Sequence, residues 1–328
     1  MTRVLVTGAG GAAGVAVIRS LLQRSELTVF AADMDGWAAG LYLVPAEQRR
    51  LVEPGRSDTF VSGIAALVDT DAIDVVISTV DVELASLATR RDELAPAVLA
   101  APPAETIAVC LDKLALAERC APTTNVPRTV LAGADALAVD WEFPAFAKPR
   151  SGAGSRGIRV VPDREALEAL PDDEGLIVQD LLPGEEYSVD VIADADGRVI
   201  AAVPRTRARV DSGVAIAGRT VRDPELEETA AAVARAIGLV GVANVQLRRD
   251  RAGRAALLEV NPRFPGALPL TIAAGVDIPS LVVDLFTGRA LPERLEFQEL
   301  ATVRFLDDIV LDPAEVLSSE HAAHQDGE

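Results

Sequence analysis

Short β-branched and apolar runs alternate with helical spacing over the first hundred residues. Val4 to Thr7 leads into a glycine-rich turn, Gly8 to Gly14, and then into an apolar helix from Val15 to Leu22. Leu27 to Ala32, ending at Asp33, is a second predicted strand; Asp74 to Thr79 and Ala97 to Ala100 are two more. Strands alternating with helices predict a parallel α/β sheet, closing near Pro102-Pro103. A helix is predicted over Asp112 to Cys120. The texture then changes. Pro127 to Leu131, Ala145 to Lys148, Ile158 to Val161 and Leu176 to Gln179 are short strands around one helix, Arg164 to Leu170, which predicts a small α+β unit. Longer strands follow at Tyr187 to Ala193, Val199 to Arg205, Val242 to Arg248 and Ala255 to Val260. A helix from Pro224 to Ile237 lies between them, and two further helices are expected over Leu268 to Ala274 and Pro279 to Thr287. From Asp312 the chain is polar and acidic and is expected to be loosely ordered.

Composition narrows the class. The 328 residues leave room for two or three compact units, and 49% hydrophobic with 25% charged residues is ordinary for a globular protein. A formal charge of −19 argues against nucleic acid or an anionic membrane as partner, while leaving room for local basic pockets. No apolar run reaches the length of a membrane span. Cys110 and Cys120 lack metal-knuckle spacing, and both histidines, His321 and His324, lie in the polar end segment, so neither a zinc site nor a histidine triad is expected. The first strand begins without a signal-peptide pattern, and the expected compartment is the reducing cytoplasm.

Of the 31 basic residues only Lys113 and Lys148 are lysine. An ammonium is a compact point charge where a guanidinium is a planar fork, so a lysine kept in an arginine-rich chain can mark a phosphate contact. The pair reads equally as the remainder of a lysine-poor composition. Lys148 has a companion, though. The loop Pro149-Arg150-Ser151-Gly152-Ala153-Gly154-Ser155-Arg156-Gly157 follows it at once, and such a loop can present backbone N–H groups to phosphates.

The N-terminal turn, Thr7-Gly8-x-x-Gly11-x-x-Gly14, follows a strand and opens a helix, with Asp33 where a ribose-binding acid would stand, as in NAD(P)-dependent reductases. The same pattern fits short-chain dehydrogenases, which need a Tyr-x-x-x-Lys pair; four residues beyond Tyr42 and Tyr187 stand Ala46 and Val191. The favoured reading is a turn that packs helix on strand. Downstream, Gln179-Asp180-Leu-Leu182-Pro-Gly-Glu-Glu186 ends one strand, bends and brings a carboxylate to the next. Strand alternation puts Glu259, Asn261 and Arg263 on one face, where Gln246 of a neighbouring strand can join them. Oxygen donors without histidine or cysteine suit Mg²⁺. Arg205-Thr-Arg207-Ala-Arg209 ends a strand, and Arg205 or Arg207 is a candidate grip for a substrate carboxylate, with a solvated strand end as the equal alternative.

This ordered set resembles the ATP-grasp superfamily, most closely its carbamoyl-phosphate-synthase-like branch. The resemblance rests on Asp112-Lys113, Ala147-Lys148-Pro149, the 152–157 loop, Gln179 to Tyr187, Gln246, Glu259-x-Asn261-x-Arg263 and the later Ala273-Ala-Gly-Val-Asp-Ile-Pro. It implies a Rossmann-like pre-ATP-grasp domain over 1–107, a two-lobed α+β ATP-grasp fold over 108–311 with a lid subdomain near 122–181, and a tail over 312–328. It implies ATP and Mg²⁺ as cofactors, two ions, with Mn²⁺ as a substitute. Lys113 and Lys148 would meet ATP phosphates, and Ser151, Gly152, Gly154, Ser155 and Gly157 would cover them. Gln179, Asp180 and Leu182 would form the adenine hinge, and Glu186 would hold ribose. Gln246, Glu259 and Asn261 would hold metal. Arg263, with Lys148 and Arg207, would carry the catalytic charge. The implied reaction joins a small-molecule carboxylate to an amine through an acyl-phosphate, in a homodimer. A single ATP-grasp unit with no second half departs from carbamoyl-phosphate synthase itself. Alternatives are a carboxyphosphate-type carboxylase, a reductase using the N-terminal turn, and a non-catalytic nucleotide-binding module.

Overall fold

The computed structural model describes residues 1–152, 157–211 and 213–317. The first unit is a parallel sheet of β1 (Thr2–Thr7), β2 (Leu27–Asp33), β3 (Arg49–Leu51), β4 (Val75–Ser78) and β5 (Val98–Leu99), in the order β3-β2-β1-β4-β5. Helices α1 (Ala12–Leu21), α2 (Phe60–Asp71) and α3 (Asp81–Thr89) cover its two faces. Both faces are buried, so the strands read as continuous apolar runs: Val4 and Val6 face α1, while Leu5 and Val76 face α2 and α3. The strand order reverses between β1 and β4, and the carboxyl ends of those two strands form the crevice where open α/β sheets bind ligands.

Helices α4 (Ala104–Leu111) and α5 (Lys113–Cys120) lead into a small antiparallel sheet. It comprises β6 (Thr129–Leu131), β7 (Ala145–Pro149), β8 (Arg159–Val161) and β9 (Leu176–Asp180), in the order β6-β9-β7-β8, with α6 (Ala134–Leu137) and α7 (Arg164–Glu168). One face carries Ala145, Ala147, Val161 and Val178 into a core with Trp141 and the two helices. By alternation the other face carries Lys148, Ile177 and Gln179.

The larger lobe is built on β10 (Glu186–Ala193), β11 (Val199–Thr206), β14 (Gly241–Arg249) and β15 (Ala255–Asn261), antiparallel, in the order β11-β10-β14-β15. Between them run β12 (Arg209–Asp211), β13 (Val214–Arg219) and α8 (Pro224–Ala236); after them come α9 (Leu268–Ala273), α10 (Ile278–Phe286) and β16 (Ala301–Val303). Strands β12, β13 and β16 form a fourth sheet that the sequence pattern does not predict. Helix α8 starts on an Asp223 cap and Pro224, and it buries Leu226, Ala230, Val233 and Ala234 against Val189, Val191, Val245 and Leu247 of the sheet. The other face of that sheet is divided. Its apolar end, Ile192, Val203 and Val242, shares a core with α9, α10 and α1, joining this lobe to the first unit. Its polar end carries Glu186, Ser188, Gln246, Glu259 and Asn261.

Residues 312–317 correct the expected loose tail. Asp312 caps a short turn, the Leu317 N–H donates to the Tyr42 hydroxyl at 3.1 Å, and Leu317 packs on the first unit's core. No helix among the described residues is long and apolar enough to cross a membrane.

Candidate active site

Asp112 caps α5 by accepting from the Leu114 and Ala115 N–H groups, and it also takes Arg150 in a bidentate pair, 2.6 Å at the shortest. That pair holds the Asp112 carboxyl below its ordinary range. It also clips the start of α5 to the end of β7, where the Lys113 N–H donates to the Arg150 carbonyl at 3.0 Å. The Lys113 Nζ then reaches the Gly152 carbonyl at 2.7 Å. The two lysines, 35 positions apart in the chain, are thereby brought to one place.

Lys148 is buried, and burial pushes its ammonium down to about 8, with the Glu259 carboxylate raising it and Lys113 lowering it. Lys113 is lowered too, by burial, against the same Glu259 carboxylate. Both cations thus feel one acid on the opposite lobe. Glu259 stands directly across the ladder from Gln246, and Asn261 across from Asn244. All three predicted metal residues are half-buried, and none of their side chains hydrogen-bonds to another described residue. This is a row of unengaged hard oxygen donors beside two ammonium groups, and it fits Mg²⁺ better than a softer metal.

The segment joining the lobes is stitched to the end of β14. The Gly184 N–H donates to the Arg249 carbonyl at 3.0 Å, and Arg248 Nε to the Gly184 carbonyl at 2.8 Å. A Cβ at Gly184 would lie 2.4 Å from that of Arg249, so only glycine fits there. Leu182 is buried beside this bend. Gln179 is buried and donates to Thr129 Oγ1 at 2.8 Å, and Asp180 pairs with Arg128 at 3.0 Å. Glu186 pairs with Arg207 at 3.0 Å, and Arg207 also donates to Ser188 Oγ and to the Gly213 carbonyl, each at 3.2 Å. Ser151 and Gly152 are exposed at the mouth, and Gly157 takes a left-handed φ of 75°. Gly154 and Ser155 lie outside the described residues.

Two expectations change. Arg205 is not available to grip a substrate. It is buried and doubly bonded to Asp190, whose carboxylate also accepts from Asn244 at 2.7 Å and Thr271 at 2.5 Å. Asp33, the candidate ribose acid, accepts instead from the Gly10 N–H at 2.8 Å and the Asp35 N–H at 3.0 Å, which closes the glycine turn on itself. Arg263 meets a residue that sequence reasoning passed over. Its Nε donates to Asp81 Oδ1 at 2.9 Å, and Nη1 donates to the Phe264 carbonyl at 3.2 Å. The signal for Asp81 was its place, one turn past the β4 strand end.

Residues 172–309 match a family model described as ATP-grasp in the biosynthetic pathway with Ter operon. The chain carries an ATP-grasp domain. Over 182 residues it is 30% identical to the carbamoyl phosphate synthase large chain of Halobacterium salinarum, covering 50% of this chain and 17% of that one. Over 161 residues it is 27% identical to the 3-methyl-D-ornithine–L-lysine ligase of Methanosarcina mazei, covering 46% and 42%. The chain therefore spans less than half the length of either relative. The ATP-grasp fold extends further than these alignments. The biotin carboxylase of Campylobacter jejuni, solved as a β,γ-ATP complex, superposes with a TM-score of 0.73 at 19% identity over 88% of this chain and 72% of that one.

Proposed function

We propose that the chain is an ADP-forming carboxylate–amine ligase that binds MgATP in the cleft between the small sheet and the polar end of the large one. The observation that carries this reading is the convergence of Lys113 and Lys148 on Glu259 across the cleft, beside the unengaged oxygens of Gln246 and Asn261. Lys148 and Lys113 neutralise phosphate charge, the hinge around Leu182 receives adenine, and Glu186 receives ribose. Gln246, Glu259 and Asn261 would hold Mg²⁺, which when bound supplies charge neutralisation. Arg263 meets the transferred phosphoryl group, and Arg207 lines the acid side.

In the first step a carboxylate oxygen of the substrate attacks the γ-phosphorus, the bridging P–O bond breaks, and ADP leaves. In the second an amine attacks the acyl carbon, a C–N bond forms, inorganic phosphate leaves, and the amine proton passes to solvent. Positioning and electrostatics suffice for such a transfer, so no protein nucleophile is required. The match to a ligase that joins two amino acids supports amino-acid-like substrates. The match to carbamoyl phosphate synthase supports bicarbonate as an alternative acid, giving carboxyphosphate by the same first step.

The test is ADP release over a panel of amino acids, small acids and bicarbonate, with hydroxylamine as trap. The expected result is acid-dependent ADP and a hydroxamate that names the acid. ADP release with none of them, from a chain that binds MgATP, would make it a binding module.

A further inference from the structure

The N-terminal glycine turn has no part in nucleotide binding under the reading above, yet it is built with care. Gly8 takes a φ of +69°, and a Cβ there would meet Val80 at 2.5 Å and Thr79 at 2.7 Å. Thr79 Oγ1 donates to the carbonyls of Thr7 and Gly8 at 3.0 and 3.1 Å. Below them Glu83 is buried and accepts from Thr7 Oγ1 at 2.6 Å and Ser78 Oγ at 2.9 Å. These contacts tie the carboxyl ends of β1 and β4 to the first turn of α3, at the point where the strand order reverses. The residue this assembly presents is Asp81, the first of α3, and its carboxylate takes Arg263 from the other domain.

We propose that Asp81 is a positioning residue for Arg263, and that the first unit serves the reaction as the seat of that arginine. The inference rests on the reading of Arg263 as the phosphoryl-side cation. Asp81 takes the Nε edge and the Phe264 carbonyl takes Nη1, which leaves Nη2 with no partner among the described residues. A guanidinium held at Nε and at Nη1 cannot turn, so its free Nη2 corner is fixed in place two residues beyond Asn261, the last residue of the strand that also carries Glu259. The fixing element is a strand-end crevice rather than a surface side chain, so its geometry is inherited from the sheet.

Two effects oppose each other at this carboxylate. As an anchor it improves the aim of Arg263 at a γ-phosphate; as a charge it repels that phosphate. The anchor role requires that removing the side chain weaken γ-phosphate binding, whereas repulsion alone would tighten it. The experiment is calorimetric titration of wild type, Asp81→Ala, Asp81→Asn and Arg263→Ala with Mg·AMP-PNP and with MgADP. The expected result is that Asp81→Ala weakens AMP-PNP by about tenfold, the worth of one charged hydrogen bond, and leaves ADP unchanged, which also shows the variant folded. Asp81→Asn keeps an acceptor for Nε and recovers most of the loss, and Asp81→Ala combined with Arg263→Ala is no weaker than Arg263→Ala alone. Unchanged or tighter AMP-PNP binding by Asp81→Ala overturns the inference while leaving the nucleotide site standing. Wild type binding neither nucleotide overturns the site itself, and the inference with it.

Discussion

Lys148 is the residue on which chemistry and folding meet. Without nucleotide its ammonium loses a proton as the pH rises through about 8, because burial disfavours the charge more than Glu259 restores it. Phosphate oxygens favour the charged form, so binding raises the value again. Above that pH, MgATP must therefore take up a proton, and affinity should fall by up to about tenfold per pH unit. Calorimetry in two buffers of different ionisation enthalpy reads the uptake directly. Lys148→Arg removes it, since a guanidinium stays protonated, and it should not restore full ATP use because a fork does not replace a point charge. The rarity of lysine made this position legible in the sequence. The acid that faces it, Glu259, was legible only as a member of a strand row, because nothing in the order of residues says which cation a carboxylate will meet.

At the scale of elements, strand alternation explains both what was legible and what was not. On β10, β14 and β15 the even–odd pattern gave the face that carries Gln246, Glu259 and Asn261. Arg205 looked like a substrate grip because it stands in a basic cluster at a strand end. The difference is depth along the strand. One residue pair further in, polar side chains stop facing the cleft and start facing α9, and there Arg205, Asn244 and Thr271 close around Asp190. The network lies between the apolar and polar ends of one face and holds β10, β11, β14 and α9 in register. Arg205→Met strands a buried carboxylate and should cost about 3–5 kcal/mol in a denaturant titration. A loss of under 1 kcal/mol would mean that the pair is solvated. Helices α2 and α3 and the β12-β13-β16 sheet were not anticipated; the strands of that sheet are three to six residues long, too short for a period to show.

At the scale of the molecule, the first unit is an integral part of the ATP-grasp architecture. It shares a hydrophobic core with the large lobe through α9 and α10, and Ser20 and Arg24 of the first unit bond Asp277 and Asp284 of the second. A ligand held between the lobes should therefore stabilise the whole chain. MgADP at one hundred times its dissociation constant should add about 2.7 kcal/mol, seen as a rise of a few degrees in a thermal melt. NADH should give no shift, because Asp33 already occupies the Gly10 N–H and the turn is closed. A rise with NADH would return the N-terminal turn to ligand binding.

The sequence by itself determined the kinds of elements, the boundary between a parallel unit and antiparallel lobes, and the residue types of the site, because those depend on periodicity and on the chemistry of single side chains. The tertiary structure alone decided which charges face each other. It brought Lys113 and Lys148 within electrostatic reach of Glu259, withdrew Arg205 into the core, closed Asp33 on the glycine turn and joined Asp81 to Arg263. Those pairings span up to 182 positions and depend on how sheets cross and stack, which no local pattern records.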